Sequence, residues 1–123
     1  MAAKHVAVDQ RHRLATRIAI NRTVAGVHYP VDSAAGAVLG MTLGEYIFAR
    51  ATGEKVPSRT FHGTRYGGDT DFHPGLVKRM LEKGTLEDGK EPVVETGEAP
   101  VVKSSILAWL WNEAKKEVAN RWG

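Results

Sequence analysis

Apolar residues recur three and four positions apart in three stretches of the chain: residues 6–20, 31–51 and 106–121. This spacing places the apolar side chains on one face of an α-helix, with charged side chains elsewhere on its circumference. Each stretch is therefore predicted to be an amphipathic helix.

Turn and capping residues set the bounds of these helices. Gly26 and Tyr29-Pro30 break the chain after the first helix, because the residue before a proline disfavours the α conformation. Thr52-Gly53 is predicted to end the second helix, and Ser104 or Ser105 to cap the third. His28 is therefore expected in a turn between two helices.

The polar, glycine-rich middle of the chain shows less regular patterning. Residues 55–73 are predicted to form a long loop, and Pro74–Lys83 a short helix closed by Gly84. Residues 85–103 are acidic, with little to bury, and are predicted to be a linker or a wrapping arm. The expected organisation is a helical half-bundle over 1–84, an acidic linker or arm over 85–103 and a C-terminal helix over 104–123.

Two features suggest how these helices pack. Gly36, Gly40 and Gly44 form a smooth stripe, which favours close approach of another helix. Tryptophans on the last helix either complete this chain's own core or dock on a partner chain. The uncharged run from Ser33 to Gly44 is shorter than the roughly 20 residues of a membrane span, so no membrane span is expected.

Composition narrows the class of protein. The formal charge of +3 comes from scattered Lys and Arg residues, which indicates solubility and not nucleic-acid binding. The chain has no cysteine, which excludes disulfides, and its first residues show no signal-peptide pattern. A soluble protein is expected, with the cytoplasm favoured as its compartment.

Arg22, His28 and Asp32 bring three complementary chemistries within eleven residues. A guanidinium offers a planar set of donors that suits phosphate or vanadate oxygens. The imidazole can act as a nucleophile or a ligand through one nitrogen, while a carboxylate orients the other. The alternative is structural: an exposed arginine at a helix end, a loop histidine and a helix-capping aspartate.

The surrounding residues carry a family resemblance. The stretch Asn21-Arg-Thr-Val-Ala-Gly-Val-His28-Tyr-Pro-Val-Asp32-Ser-Ala-Ala-Gly36 resembles the third signature of one superfamily. That superfamily unites type 2 phosphatidic acid phosphatases, bacterial acid phosphatases and vanadium-dependent haloperoxidases. The resemblance implies an all-α fold, in which this chain forms the C-terminal part of a helical bundle with long loops.

The resemblance also implies a role for each residue. His28 would attack phosphorus in a phosphatase, or bond to vanadium as the metal ligand in a haloperoxidase. Arg22 would bind the equatorial oxygens of vanadate or phosphate, and Asp32 would orient His28. The family usually has serine where this chain has Asn21, which keeps a hydrogen-bonding side chain.

A complete site of this type also needs a Lys, an Arg-Pro and a Ser-Gly-His signature, and neither Arg-Pro nor Ser-Gly-His occurs in the chain. We therefore expect a second chain, or a missing N-terminal segment, to supply these groups in an oligomer or a longer enzyme. The leading function is one part of a soluble vanadium-dependent haloperoxidase, which oxidises halide with hydrogen peroxide. The alternatives are phosphomonoester hydrolysis through a phosphohistidine at His28 and a non-catalytic interaction subunit.

Overall fold

A computed structural model of the chain describes residues 2–73, 75 and 91–122. These residues form helices and a small sheet: α1 (Ala2–Val24), α2 (Pro30–Thr52), β1 (Val56–Phe61), a 3₁₀ turn (Gly63–Arg65), β2 (Val93–Ala99) and α3 (Ser105–Trp122). The helix predicted over 74–83 lies outside the described residues, apart from Gly75.

The three long helices predicted from apolar periodicity are confirmed. α2 starts at Pro30, and the backbone N–H of Gly53 donates to the Ala49 carbonyl at 2.7 Å where the helix ends. Before α3, the Ser104 hydroxyl accepts a hydrogen bond from the Leu107 backbone at 3.3 Å, as expected of a capping serine. α1 extends beyond the predicted stretch at both ends.

The prediction of an all-α fold is wrong, because the described chain is mixed α/β with a two-stranded antiparallel sheet. The first strand lies in the segment predicted as a loop, and the second in the segment predicted as a linker or arm. Phe61 pairs with Val93 and Val56 with Ala99, with a register shift between Ser58 and Arg59. The pairing joins segments more than thirty residues apart, so local periodicity does not reveal it.

The core lies where α2 packs against this sheet. Ala34 and Val38 of α2 contact Val93 of β2 and Tyr66, and all four are buried. Around them pack partly buried apolar side chains: Val31, Ala37, Met41, Phe61 and Phe72. The core is small, and one helix supplies much of it.

Ion pairs connect α2, β1 and β2. The Arg59 side chain on β1 is only 8 % exposed, and its guanidinium makes two hydrogen bonds to the Glu45 carboxylate of α2. Its Nε lies 3.6 Å from a carboxylate oxygen of Glu95 on β2. The inward position of the strand is therefore filled by an arginine that two carboxylates neutralise.

Helix α3 packs on the C-terminal half of α2. The rings of Phe48 and Trp111 meet edge to face, with centroids 5.1 Å apart. The backbone N–H of Ser104 donates to the Arg50 carbonyl at 2.7 Å, which fixes the start of α3 beside the end of α2. One tryptophan of α3 thus packs within the chain, whereas Trp109 is 62 % exposed.

Candidate oxyanion site

Arg22, His28 and Asp32 lie on one helix–turn–helix corner. Arg22 is in the last turn of α1, His28 in the connection before α2, and Asp32 in the first turn of α2. All three side chains are exposed. The order of elements predicted from the sequence is therefore the one that the structure has.

A Schellman motif makes this corner. The backbone N–H of Val27 donates to the Arg22 carbonyl at 3.2 Å, and that of Gly26 to the Thr23 carbonyl at 2.9 Å. The motif requires a left-handed residue, and Gly26 has φ +72°. Gly26 therefore turns the chain so that the segment bearing His28 starts beside the backbone of Arg22.

The structure assigns the two nitrogens of His28 different tasks. Nδ1 lies 3.0 Å from the carbonyl oxygen of Val27. A carbonyl only accepts, so in the neutral imidazole this hydrogen bond places the proton on Nδ1 and the lone pair on Nε2. Nε2 of an exposed ring is then available as a nucleophile or a ligand.

Asp32 has a different partner from the one expected. Its Oδ2 accepts a hydrogen bond from the backbone N–H of Tyr29 at 3.2 Å, and no hydrogen bond joins Asp32 and His28 in this described segment. Tyr29 is the residue that caps α2, so Asp32 stabilises the start of the helix from its third position. The backbone of Val27 orients the imidazole here, and an orienting role for Asp32 stays a prediction.

The corner presents an electrostatic environment suited to an anion. The N-terminus of α2 begins two residues after His28, and the helix dipole gives this end a partial positive charge. Pro30 has no N–H, and the N–H groups of Asp32 and Ser33 donate to the Tyr29 carbonyl. Arg22 adds a full positive charge, and Asp32 opposes it with a negative one. Between Arg22 and Asp32 the chain has one guanidinium and one imidazole, a small set for binding a multiply charged oxyanion.

Elsewhere among the described residues, no group of three or more His, Asp or Glu side chains could hold a metal ion. None of the described helices combines the length and apolarity needed to cross a bilayer.

The backbone contact of Val27 was missed by sequence reasoning. Gly26 was its only signal, because a glycine two residues beyond a helix end predicts a left-handed turn there.

Comparisons with protein families, with curated proteins and with solved structures find no match for this chain.

Proposed function

We propose that this chain supplies the histidine segment of a vanadium-dependent haloperoxidase-like enzyme. The observation that carries the proposal is the exposed ring of His28, in whose neutral form Nε2 keeps its lone pair because Nδ1 donates to the Val27 carbonyl. It is supported by the resemblance of residues 21–36 to the third signature of that superfamily.

The donor set at the corner fits vanadate in its chemistry. A neutral imidazole nitrogen is a suitable ligand for the metal, and the Arg22 guanidinium is a suitable donor to its equatorial oxygens. When bound, vanadate supplies Lewis-acid activation of hydrogen peroxide for halide oxidation. In this proposal His28 holds the ligand through Nε2 and Arg22 holds it by charge. The turn at Gly26 brings the segment that bears His28 beside the backbone of Arg22.

A second segment is part of the proposal, because Arg22 alone does not neutralise vanadate. The groups that the chain lacks are a lysine, a further arginine and a histidine for proton transfer, as the resemblance implies. We propose that they come from another chain or from a preceding segment of the same protein. This chain alone should therefore show negligible turnover.

The same Nε2 also favours phosphomonoester hydrolysis. In that reaction the nitrogen attacks phosphorus and displaces the alcohol, and water then cleaves the phosphohistidine. Vanadate mimics the trigonal-bipyramidal transition state of this transfer, so one pocket accommodates both chemistries. A bromination assay with and without added vanadate separates them, using the assembled protein.

The test is calorimetric binding of orthovanadate to the protein as isolated with its partner segment. His28→Ala should abolish binding, and Arg22→Ala should weaken it at least tenfold. The matched controls on α1, His12→Ala and Arg17→Ala, should bind as wild type does. If the intact assembly does not bind vanadate, or if His28→Ala binds unchanged, both enzyme proposals fail and a non-catalytic interaction subunit is favoured.

A further inference from the structure

One side of α2 is apolar, uncharged and exposed. Gly36, Gly40 and Gly44 alternate there with Leu39, Leu43 and Ile47, and these six residues are called the open face. The three aliphatic side chains are 68 %, 54 % and 49 % exposed. A β-carbon placed on any of the three glycines would have no atom within 4 Å. Nothing in the described structure covers this face.

The three glycines of the open face lower the stability of α2, and the described residues do not explain why they are there. A glycine in a helix interior destabilises the helix relative to alanine. Open space around all three glycines means that alanine would fit each position of the described structure. Absence of a side chain at these positions matters only when another surface comes close.

We propose that the open face pairs with the same face of a second copy of this chain, as an antiparallel α2–α2 dimer. A two-fold axis between Met41 and Thr42 gives this pairing its register. It sets each glycine opposite a large aliphatic side chain of the second copy: Gly36 opposite Ile47, Gly40 opposite Leu43, and Gly44 opposite Leu39. Ridges of one helix thereby enter the gaps of the other.

Charge complementarity supports the antiparallel direction. Asp32 and Arg50 lie on the same side of α2 as the open face, one beyond each end of it. In this register, Asp32 of each copy comes within one residue of Arg50 of the other along the helix axes. A parallel pair would instead place like charges together at both ends, which is unfavourable.

In this register the contact runs from Gly36 to Ile47, which is about three helical turns of each copy. The dimer does not depend on the proposed function, since it involves neither vanadate nor a second type of chain.

Sedimentation equilibrium of the purified chain between about 1 and 200 μM tests the dimer. The wild type should dimerise, and Leu43→Glu should weaken dimerisation at least thirtyfold. Ile106→Glu, a matched change at an exposed isoleucine of α3, should leave dimerisation unchanged. Gly40→Ala should weaken the dimer while its helix stays intact by circular dichroism, because the single chain has room for the methyl group.

Cysteine cross-linking tests the direction, because the chain has no cysteine of its own. A mixture of Gly36→Cys and Ile47→Cys chains should form a disulfide between the two variants. Ile47→Cys alone should form none, since the equivalent residues lie about 16 Å apart along the antiparallel helices. A monomeric wild type, a Leu43→Glu dimer of unchanged affinity, or cross-linking of Ile47→Cys with itself would each overturn the proposal.

Discussion

The two faces of α2 have the same kind of apolar sequence but opposite surroundings. The packed face, which consists of Ala34, Val38 and Ala49, is buried. The open face is exposed over three turns. Neighbouring residues such as Val38 and Leu39 are 4 % and 68 % exposed. Hydrophobicity along a helix therefore indicates that a face seeks a partner, but not whether the same chain provides it.

The largest expected effect comes from placing an aspartate on each face of α2 in turn. Val38→Asp places an unpaired carboxylate in the core, and we expect a loss of about 4 kcal/mol or more in unfolding free energy. Leu39→Asp should change it by less than about 0.5 kcal/mol, because its side chain stays in water. Urea denaturation at low micromolar concentration measures both. Equal losses would show that the open face is packed in the isolated chain.

The charged part of the packed side offers a smaller test. Arg59→Met keeps the apolar stem but leaves Glu45 and Glu95 facing each other without a cation. We expect a loss of about 1–3 kcal/mol, below that for a fully buried pair because both carboxylates are partly exposed.

A matched control is available beside the same strand pair. Lys55 and Glu98 form an exposed ion pair at 3.7 Å, and Lys55→Met should cost less than about 0.5 kcal/mol. Thermal unfolding of the two variants side by side measures the difference. Similar midpoints for both would contradict a structural role for the Arg59 contacts.

Replacing a glycine by alanine should have opposite effects in the turn before α2 and on its open face. Gly26→Ala forces a left-handed residue with a side chain and should cost about 1 kcal/mol. Gly44→Ala, in regular helix on the open face, should stabilise the monomer by a similar amount. Denaturation at a concentration at which the chain is monomeric should give changes in unfolding free energy of opposite sign for the two variants. Changes of the same sign would refute this account of the two positions.

The smallest effect is expected at high pH. Burial raises the pKa of the Tyr66 phenol above its ordinary value near 10, and the negative charge of Asp71 raises it further. A raised pKa means that the folded state holds the proton more tightly, so this contribution is complete below pH 10 and is lost as pH rises beyond it. Tyr66→Phe should therefore reduce the alkaline loss of stability. Tyr29→Phe, at a tyrosine that is 75 % exposed, should not.

Local signals in the sequence were sufficient for the helices and for the order of the site residues. These signals are local. They are the apolar spacing, Pro30, Gly53 and the serine before α3, and each acts within a few residues of its own position. The sheet was not predictable in this way. Its first strand turns an arginine inward, and only the distant Glu45 and Glu95 make that position acceptable.

The candidate site shows the same division. The sequence predicted that Arg22, His28 and Asp32 lie on consecutive elements, and the structure has this order. It did not indicate which acceptor each side chain would find. The carbonyl of Val27 is within reach of the His28 ring, and the N–H of Tyr29 is within reach of the Asp32 carboxylate. Composition does not distinguish such local contacts from a bond between the two side chains.

The contacts of Arg59 have a consequence for motion. Because one guanidinium holds α2, β1 and β2 together, exposing the backbone amides of either strand requires these ion contacts to break at the same time. We therefore expect amide hydrogen exchange in β1 and in the middle of α2 to follow one cooperative opening, whereas α1 exchanges faster through independent fraying.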